Sequence, residues 1–325
     1  MTIRSVIAST GSYLPEKILT NTDLEKMVDT SDEWIKQRSG IEQRHIAAEG
    51  EHTSHLAIAA AKDALENGGF TGSDIDGIIV ATTTPDQTFP SVAVHVQAAI
   101  NAPVGMAFDV QAVCTGFVYA LSVANNFIAS GQHKRILVIG AEKMSSILNW
   151  EDRTTCVLFG DGAGAMILEA DESGDGSIKD RGILSSHLYA NGAQRDLLYT
   201  DGGPSSTGQS GHVVMHGREV FKYAVQYMSD VVKEALAAND MAPTDIDWLI
   251  PHQANLRIIE GTAKKLKLPI EQVVLTVDKH GNTSAASIPL AFHEAAKDGR
   301  IQLGQMLLIE GMGGGLTWGA LVARY

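Results

Sequence analysis

The stretch 54–81, SHLAIAAAKDALENGGFTGSDIDGIIVA, decides the fold because its pattern returns later in the chain. A helix-like run leads through Asn67-Gly68-Gly69 to Asp74-Ile75-Asp76 and then to an apolar strand, Gly77 to Ala81. The same order recurs as a helix-like run over 217–238, then Asp245-Ile246-Asp247, then a strand from Trp248 to Ile250. Leu65 maps onto Leu236 and Asp76 onto Asp247, at one and the same offset along the chain. Farther along, Cys114 and Asn282 each open a helix-like run of equal length, closing at Gly131 and Gly299. Each run precedes an apolar strand, ILVIGA from Ile136 and MLLIEG from Met306. The chain therefore reads as α/β, two copies of one αβαβ unit over about 54–145 and about 217–325, with parallel pairings expected in each. This divides it into an N-terminal half, 1–170, and a C-terminal half, 171–325. Residues 171–216, rich in Gly, Ser and Asp, are expected to be an irregular insertion that covers a site. Two copies packed about a pseudo-dyad would put Cys114 and Asn282 at equivalent helix N-termini, facing one another.

Composition narrows the functions. The 325 residues are 44% apolar and 19% charged, enough for a sizeable core. The net charge of −13 argues against nucleic acid or an anionic membrane as a partner of the whole molecule. Cys114 and Cys156 are too few for a disulfide framework and suit a reducing compartment, with the cytoplasm as the default. The N-terminus, with only Val6-Ile7-Ala8 as an apolar core, is not expected to be a secretory leader. The apolar stretch Met306–Ala323 is interrupted by Glu310 and five glycines, and reads as two strands around a glycine turn rather than a membrane span.

Cys114 lies between a strand from about Met106 and a helix-like run, where the positive end of a helix dipole favours thiolate. The plain alternative is a small buried hydrophobe, the reading given to Cys156 in the strand-like TTCVLF. His252 ends a strand in WLIPHQANLR, and Asn282 stands at a helix start, where it could be an ordinary N-cap. Together the three are more telling, because the repeat draws them toward one centre. GDGAG at 160–164 reads as a turn between strands, with no helix after it to make a dinucleotide loop. GMGGG at 311–315 lacks the Lys and Ser/Thr of a phosphate loop but lets a backbone amide approach a ligand closely. The pairs His52/His55 and His212/His216 lack accompanying ligands, and no metal is expected. Residues 21–45 read as a charged helix with Thr30 and Glu33 as a capping box. Within the acidic chain, Arg257, Lys264, Lys265 and Lys267 face only Glu260, and Lys222 is a further candidate for this basic patch.

AVCTGF around Cys114, PHQAN around His252 and HGNTSAAS around Asn282 resemble the β-ketoacyl-acyl-carrier-protein synthase III family. TSDEWIKQRSGI at 30–41, DRTTCVLFGDGAG at 152–164, VFK at 220–222 and GGGLTWG at 313–319 extend the resemblance along the chain. It implies a thiolase-like fold, a layered α-β-α-β-α sandwich of the two halves. It also implies a cytoplasmic homodimer that condenses an acyl-coenzyme A (acyl-CoA) starter with malonyl-acyl carrier protein (malonyl-ACP). The product would be 3-oxoacyl-ACP, at the start of type II fatty acid synthesis, with the CoA thioester a substrate and no cofactor. By the same resemblance Cys114 is the nucleophile, and His252 with Asn282 hold the enolate oxygen. The backbone amides of Cys114 and Gly314 hold the first oxyanion. Thr30, Trp34, Arg38 and Arg153 bind CoA, with the adenine between Trp34 and Arg153. Lys222, Arg257, Lys264 and Lys265 meet the acidic carrier, and Phe89 is a pocket residue donated across the dimer. Met312 stands where many members carry an aromatic. Competing readings are a synthase III relative of secondary metabolism using CoA thioesters, and a Cys-His-Asn thiol hydrolase. The hydrolase order and spacing match, but Gln111 occupies the place of that family's second cysteine.

Overall fold

The computed structural model describes residues 2–325. The chain begins with strand β1 (Arg4–Tyr13), then β2 (Lys17–Thr20) and β3 (Gln43–Ile46), which pair around the short helices α1 (Asn21–Leu24) and α2 (Asp32–Ser39). Next come α3 (Thr53–Gly68), β4 (Gly77–Ala81), α4 (Val92–Ala99), β5 (Met106–Val110), α5 (Gly116–Ala129), β6 (Arg135–Lys143) and β7 (Asp161–Asp171). The remainder opens with β8 (Gly182–Ala190), the hairpin β9 (Leu198–Thr200) and β10 (Val213–Met215), then α6 (Gly217–Ala237) and β11 (Trp248–Pro251). It closes with α7 (Leu256–Leu266), α8 (Val277–His280), α9 (Ser287–Lys297), β12 (Met306–Gly313) and β13 (Thr317–Arg324).

Two sheets carry the repeat. The first has the order β1-β7-β6-β4-β5 and the second β8-β13-β12-β11. The expected parallel pairings occur at β4 with β5 and β6, and at β11 with β12. The other ladders are antiparallel, since β6–β7 and β12–β13 follow one another without a crossover helix. The repeat reaches the register: Gly77 lies opposite Ile136, and Trp248 opposite Leu307, each member displaced by the offset that relates Asp76 to Asp247. The Asp76 carboxylate accepts from the amides of Lys134 (2.7 Å) and Arg135 (3.1 Å), and that of Asp247 from Met306 (2.6 Å), so both aspartates pin the start of the neighbouring strand. The fifth strand is reduced in the second sheet to one bridge, Leu249 with Val273.

Helices fill five layers with the sheets, as the thiolase-like reading requires. Helices α3 and α4 cover the outer face of the first sheet, packing Leu56, Ala60 and Val96 on Ile78, Val80 and Leu137. Helices α6 and α7 cover the second, packing Val232 and Ile259 on Leu249 and Leu308. Helices α5 and α9 lie between the sheets, where Phe117, Leu121 and Phe292 meet Ile79, Val138, Ile309 and Leu321. Burial from both sides explains why α5 is apolar around most of its circumference. Each fully buried Leu, Ile or Phe contributes about 1.5–3 kcal/mol of transfer free energy.

Several local expectations give way. Residues 21–45 are two short helices and a strand. The N-cap of α2 is Ser31, whose Oγ accepts from the Trp34 amide (3.1 Å), and Gly40 ends the helix at φ 77°. Thr30 is therefore not the cap. The 171–216 segment contains β8, a full sheet strand whose Ile183, Leu184 and Leu188 are masked in sequence by Gly and Ser. Cys156 lies in a run of turns, and GDGAG belongs largely to β7. A Cβ on Gly164 would come within 2.7 Å of the Leu290 amide nitrogen, so that glycine serves close helix packing rather than a turn. The repeat also aligns differently at its centre. Short 3₁₀ turns, Val113–Thr115 and Ser284–Ala286, precede α5 and α9, with Val113 and Ser284 at φ 50° and 49°. The counterpart of Cys114 is thus Ala285, and Asn282 stands just upstream of that turn.

Candidate active site

Cys114, His252 and Asn282 line one cleft of about 250 Å³, with Trp34 and Arg38 also on its wall. The halves supply different parts. Cys114 sits in the tight turn before α5, 3% exposed and backed by the glycines of β12. A Cβ on Gly313 would lie 2.6 Å from the Cys114 nitrogen, and one on Gly311 would lie 3.4 Å from its carbonyl oxygen. Only a glycine at 313 lets strand and turn meet this closely.

His252 follows β11 directly, and its amide donates to the Glu310 carbonyl (2.8 Å). Its Nδ1 lies 2.6 Å from Ser287 Oγ, which itself accepts from the Gln253 amide (3.3 Å). When the Ser287 hydroxyl donates to Nδ1, the proton of the neutral ring sits on Nε2. Gln253 is a buried clamp: Nε2 donates to the carbonyls of Pro251 (2.8 Å) and Val274 (3.0 Å), and Oε1 accepts from the amides of Thr276 and Val277. Asn282 is held by backbone on both sides, its amide to Leu158 O (2.9 Å) and its carbonyl from the Gly160 amide (3.0 Å). Its Oδ1 accepts from the Ser284 amide (2.9 Å), so the side chain is oriented and Nδ2 is left as the donor.

Burial dominates the electrostatics. It pushes the Cys114 thiol up to about 12, the charge of Glu142 adds to this, and the hydroxyl of Ser284 opposes it. At rest the residue is a thiol, so burial overrides the helix-terminus effect expected from sequence. Burial also pushes His252 down to about 3, which keeps the imidazole neutral through the physiological range. Glu142 is buried and raised to about 7, although it accepts from Thr84 Oγ1 (2.6 Å), the Thr83 amide and Ser284 Oγ (3.0 Å). Sequence reading misses Glu142, Ser284, Ser287 and Gln253. Glu142 has a signal, an acid at the end of an apolar strand. The others stand within or beside the motifs of Asn282 and His252.

The remaining candidates fall at the mouth and around it. The guanidinium of Arg153 lies 5.3 Å from the Trp34 ring centre and that of Arg38 5.8 Å. Arg153 is held by the carbonyl (2.7 Å) and carboxylate (3.2 Å) of Asp29. Thr30 Oγ1 is buried without a hydrogen-bond partner. Lys222 on α6 and Arg257, Lys264 and Lys265 on α7 are all exposed, while Ile259, Ala263 and Leu266 are buried on the opposite face of α7. Gly314 lines a second cavity of about 370 Å³ that also reaches Cys114, walled by Met144, Ile147, Phe159 and Leu198. Phe89 lines neither cavity of this chain and stands 82% exposed on the 85–90 loop. Met312 packs against Val220, Ala224 and Met228 at the wall of the first cleft.

Two family models match. Residues 108–192 fit 3-oxoacyl-[acyl-carrier-protein (ACP)] synthase III, and 236–325 fit its C-terminal part. The chain is 63% identical over 324 residues to β-ketoacyl-[acyl-carrier-protein] synthase III of Paramagnetospirillum magneticum, covering 100% of both. The crystal structure of 3-oxoacyl-[acyl-carrier-protein] synthase III from Aquifex aeolicus superposes with a TM-score of 0.93 at 49% identity, covering 99% of this chain and 100% of that one. The priming β-ketosynthase of the R1128 polyketide pathway superposes with a TM-score of 0.92 at 31% identity, over 98% and 96% of the two chains.

Proposed function

The chain belongs to the β-ketoacyl-[acyl-carrier-protein] synthase III family, and on that premise we propose how its residues carry out the decarboxylative condensation of an acyl-CoA with malonyl-ACP. Cys114 Sγ bonds to the acyl carbonyl carbon, and CoA leaves with the cysteine proton. Malonyl-ACP then loses CO₂, its electron pair forms an enolate, and the enolate carbon attacks the acyl group on Cys114. The new carbon–carbon bond expels the Cys114 sulfur as thiolate and releases 3-oxoacyl-ACP, and a proton taken up from solvent restores the thiol. This sequence balances without a cofactor. The thiol-hydrolase reading falls with the family assignment.

One observation carries the assignment of roles. His252 and Asn282 share the cleft with Cys114, and each has its acceptor atom occupied, Nδ1 by Ser287 and Oδ1 by Ser284. Two neutral donors remain for the enolate oxygen, and such preorganised donors stabilise charge without needing a strong base. The amides of Cys114 and Gly314 hold the oxyanion of the first step. The adenine binds beside Trp34 and Arg153, where indole and guanidinium offer stacking surfaces, with Thr30 hydrogen-bonding the base and Arg38 near phosphate. The cavity behind Cys114 takes the acyl chain, and the exposed cations on α6 and α7 meet the carrier. Halves 1–170 and 171–325 contribute nucleophile and donors respectively.

The active form we propose is a cytoplasmic homodimer joined at β5. This strand is a sheet edge, MAFDV, only half-buried along its length, with Val104 fully exposed and Phe89 82% exposed nearby. An apolar edge of this kind calls for a partner strand. A second copy would also bring its Phe89 toward the acyl cavity. Among the described residues no helix is long and apolar enough to cross a membrane.

The test separates the half-reactions. Asn282→Ala and His252→Ala should each lower malonyl-ACP decarboxylation by ~10²- to 10³-fold and leave acylation of Cys114 largely intact. If Asn282→Ala blocks acylation and spares decarboxylation, the residue serves the cysteine and the assignment is wrong.

A further inference from the structure

Arg44, on β3, is the largest side chain in the molecule with no exposure. Its Nη1 donates to Leu19 O (3.2 Å) and Asn21 Oδ1 (2.9 Å), its Nη2 to Val157 O (2.6 Å), and its Nε has no partner. Among the described residues no carboxylate pairs with it. Burial lowers it only to about 10, so it remains a cation at neutral pH. A buried cation without an opposite charge carries a large desolvation penalty, and a Leu or Met of similar length would fill the space without it.

Its contacts lead to the active site. Val157 O opens the segment Val157–Phe159, which lines the cleft. Leu158 O accepts from the Asn282 amide (2.9 Å), the Gly160 amide donates to Asn282 O (3.0 Å), and Phe159 pairs with Asn282 as a bridge. The arginine stem lies beneath both flanks: a Cβ on Gly160 would come within 2.9 Å of Arg44 Cβ, and one on Gly281 within 3.2 Å. On the other side Asn21, 1% exposed, relays the charge through Nδ2 to Asp32 Oδ1 (2.9 Å), the first residue of α2, which carries Trp34 and Arg38. One chain of hydrogen bonds thus ties the helix at the cleft mouth to the backbone that holds Asn282.

We propose that Arg44 is a positioning residue for decarboxylation, holding the 157–160 segment so that the Asn282 amide group stays aimed at the enolate oxygen. This rests on the reading of Asn282 as that oxygen's donor.

The experiment compares Arg44→Met, Arg44→Lys, Asn282→Ala and the double variant Arg44→Met/Asn282→Ala in both half-reactions. Arg44→Met should lower kcat for malonyl-ACP decarboxylation by ~10- to 100-fold, the range for a displacement of about 1 Å. KM for malonyl-ACP and the rate of Cys114 acylation, followed by intact mass, should change little. Arg44→Lys should recover part of the loss. The double variant should be no slower than Asn282→Ala, because Arg44 acts through that residue. Equal losses in both half-reactions, or additive losses in the double variant, overturn the proposal. If Arg44→Met does not fold, Asn21→Leu removes one of the same hydrogen bonds and must show the same split, in smaller measure, or the proposal fails. Undiminished decarboxylation by Asn282→Ala would instead remove the underlying reading, whereas loss in Asn282→Ala with full activity in Arg44→Met removes the role of Arg44 alone.

Discussion

Replacing Gly313 by alanine tests how closely the second half presses on Cys114. The added methyl would lie 2.6 Å from the Cys114 nitrogen and 3.2 Å from its Cα and Cβ. Ordinary contact begins near 3.4 Å, so strand and turn must part by about 0.8 Å. Neither yields readily. Gly313 is paired with Thr317 across the β12–β13 ladder, and Cys114 is locked in a turn whose Val113 already stands at φ 50°. Gly313 itself has no positive φ, so alanine meets no backbone penalty there and the whole effect is steric. Overpacking of this kind costs about 1–3 kcal/mol, offset by about 0.4–1 kcal/mol from the stiffer unfolded chain. The fold should survive with a modest fall in Tm. Acylation should not, because moving a nucleophile by about 1 Å can slow it ~10²-fold. Stopped-flow release of CoA, with Tm measured alongside, reads both effects. Gly164→Ala is the control, since its methyl meets the Leu290 amide nitrogen at 2.7 Å, a comparable overpacking away from Cys114. Wild-type acylation by Gly313→Ala would refute the close packing of strand β12 on Cys114.

Other outcomes follow from the same geometry. Ser287→Ala removes the donor to His252 Nδ1 and should slow decarboxylation ~10-fold or more, the usual loss on removing an orienting partner, with acylation spared; equal loss in both steps would contradict this. Glu310 is buried, has no partner on either oxygen and is raised by burial to about 8. Its folded pKa lies above the unfolded value, so the penalty for its burial grows as pH rises from about 4.5 to about 8. Glu310→Gln should therefore raise Tm more at pH 8 than at pH 5, and an equal gain at both would refute the assignment. Reversing Arg257 and Lys264 to glutamate should raise KM for malonyl-ACP and flatten its salt dependence while acylation from CoA stays unchanged, since exposed complementary charge acts mainly on encounter. Equal losses with both substrates would place these residues in folding or in the CoA site.

The internal repeat is legible because it is written in strand and turn residues, and its constant offset extends to the register of the sheets and the two pinning aspartates. It misleads only at the centre. There the lengths of the helix-like runs match Asn282 to Cys114, whereas the turns that precede α5 and α9 match Ala285. The glycines of GDGAG look like a turn because their reason, the close approach of α9, is tertiary. Motif and spacing pick out Cys114, His252 and Asn282, which the structure brings to one cleft, but not their protonation states. A helix terminus is visible in sequence, whereas the burial that outweighs it depends on both sheets. The supporting shell of Arg44, Glu142, Gln253 and Ser287 escapes sequence reading for the same reason. Each lies far along the chain from at least one of the groups it holds.

The most direct test of the central claim is the mass of the intact protein through one turnover. Incubation with a short acyl-CoA should add one acyl group, located on Cys114 by peptide mapping, and malonyl-ACP should then discharge it as 3-oxoacyl-ACP. An acyl group on Cys156, no adduct at all, or a Cys114 adduct that malonyl-ACP cannot discharge would contradict the account.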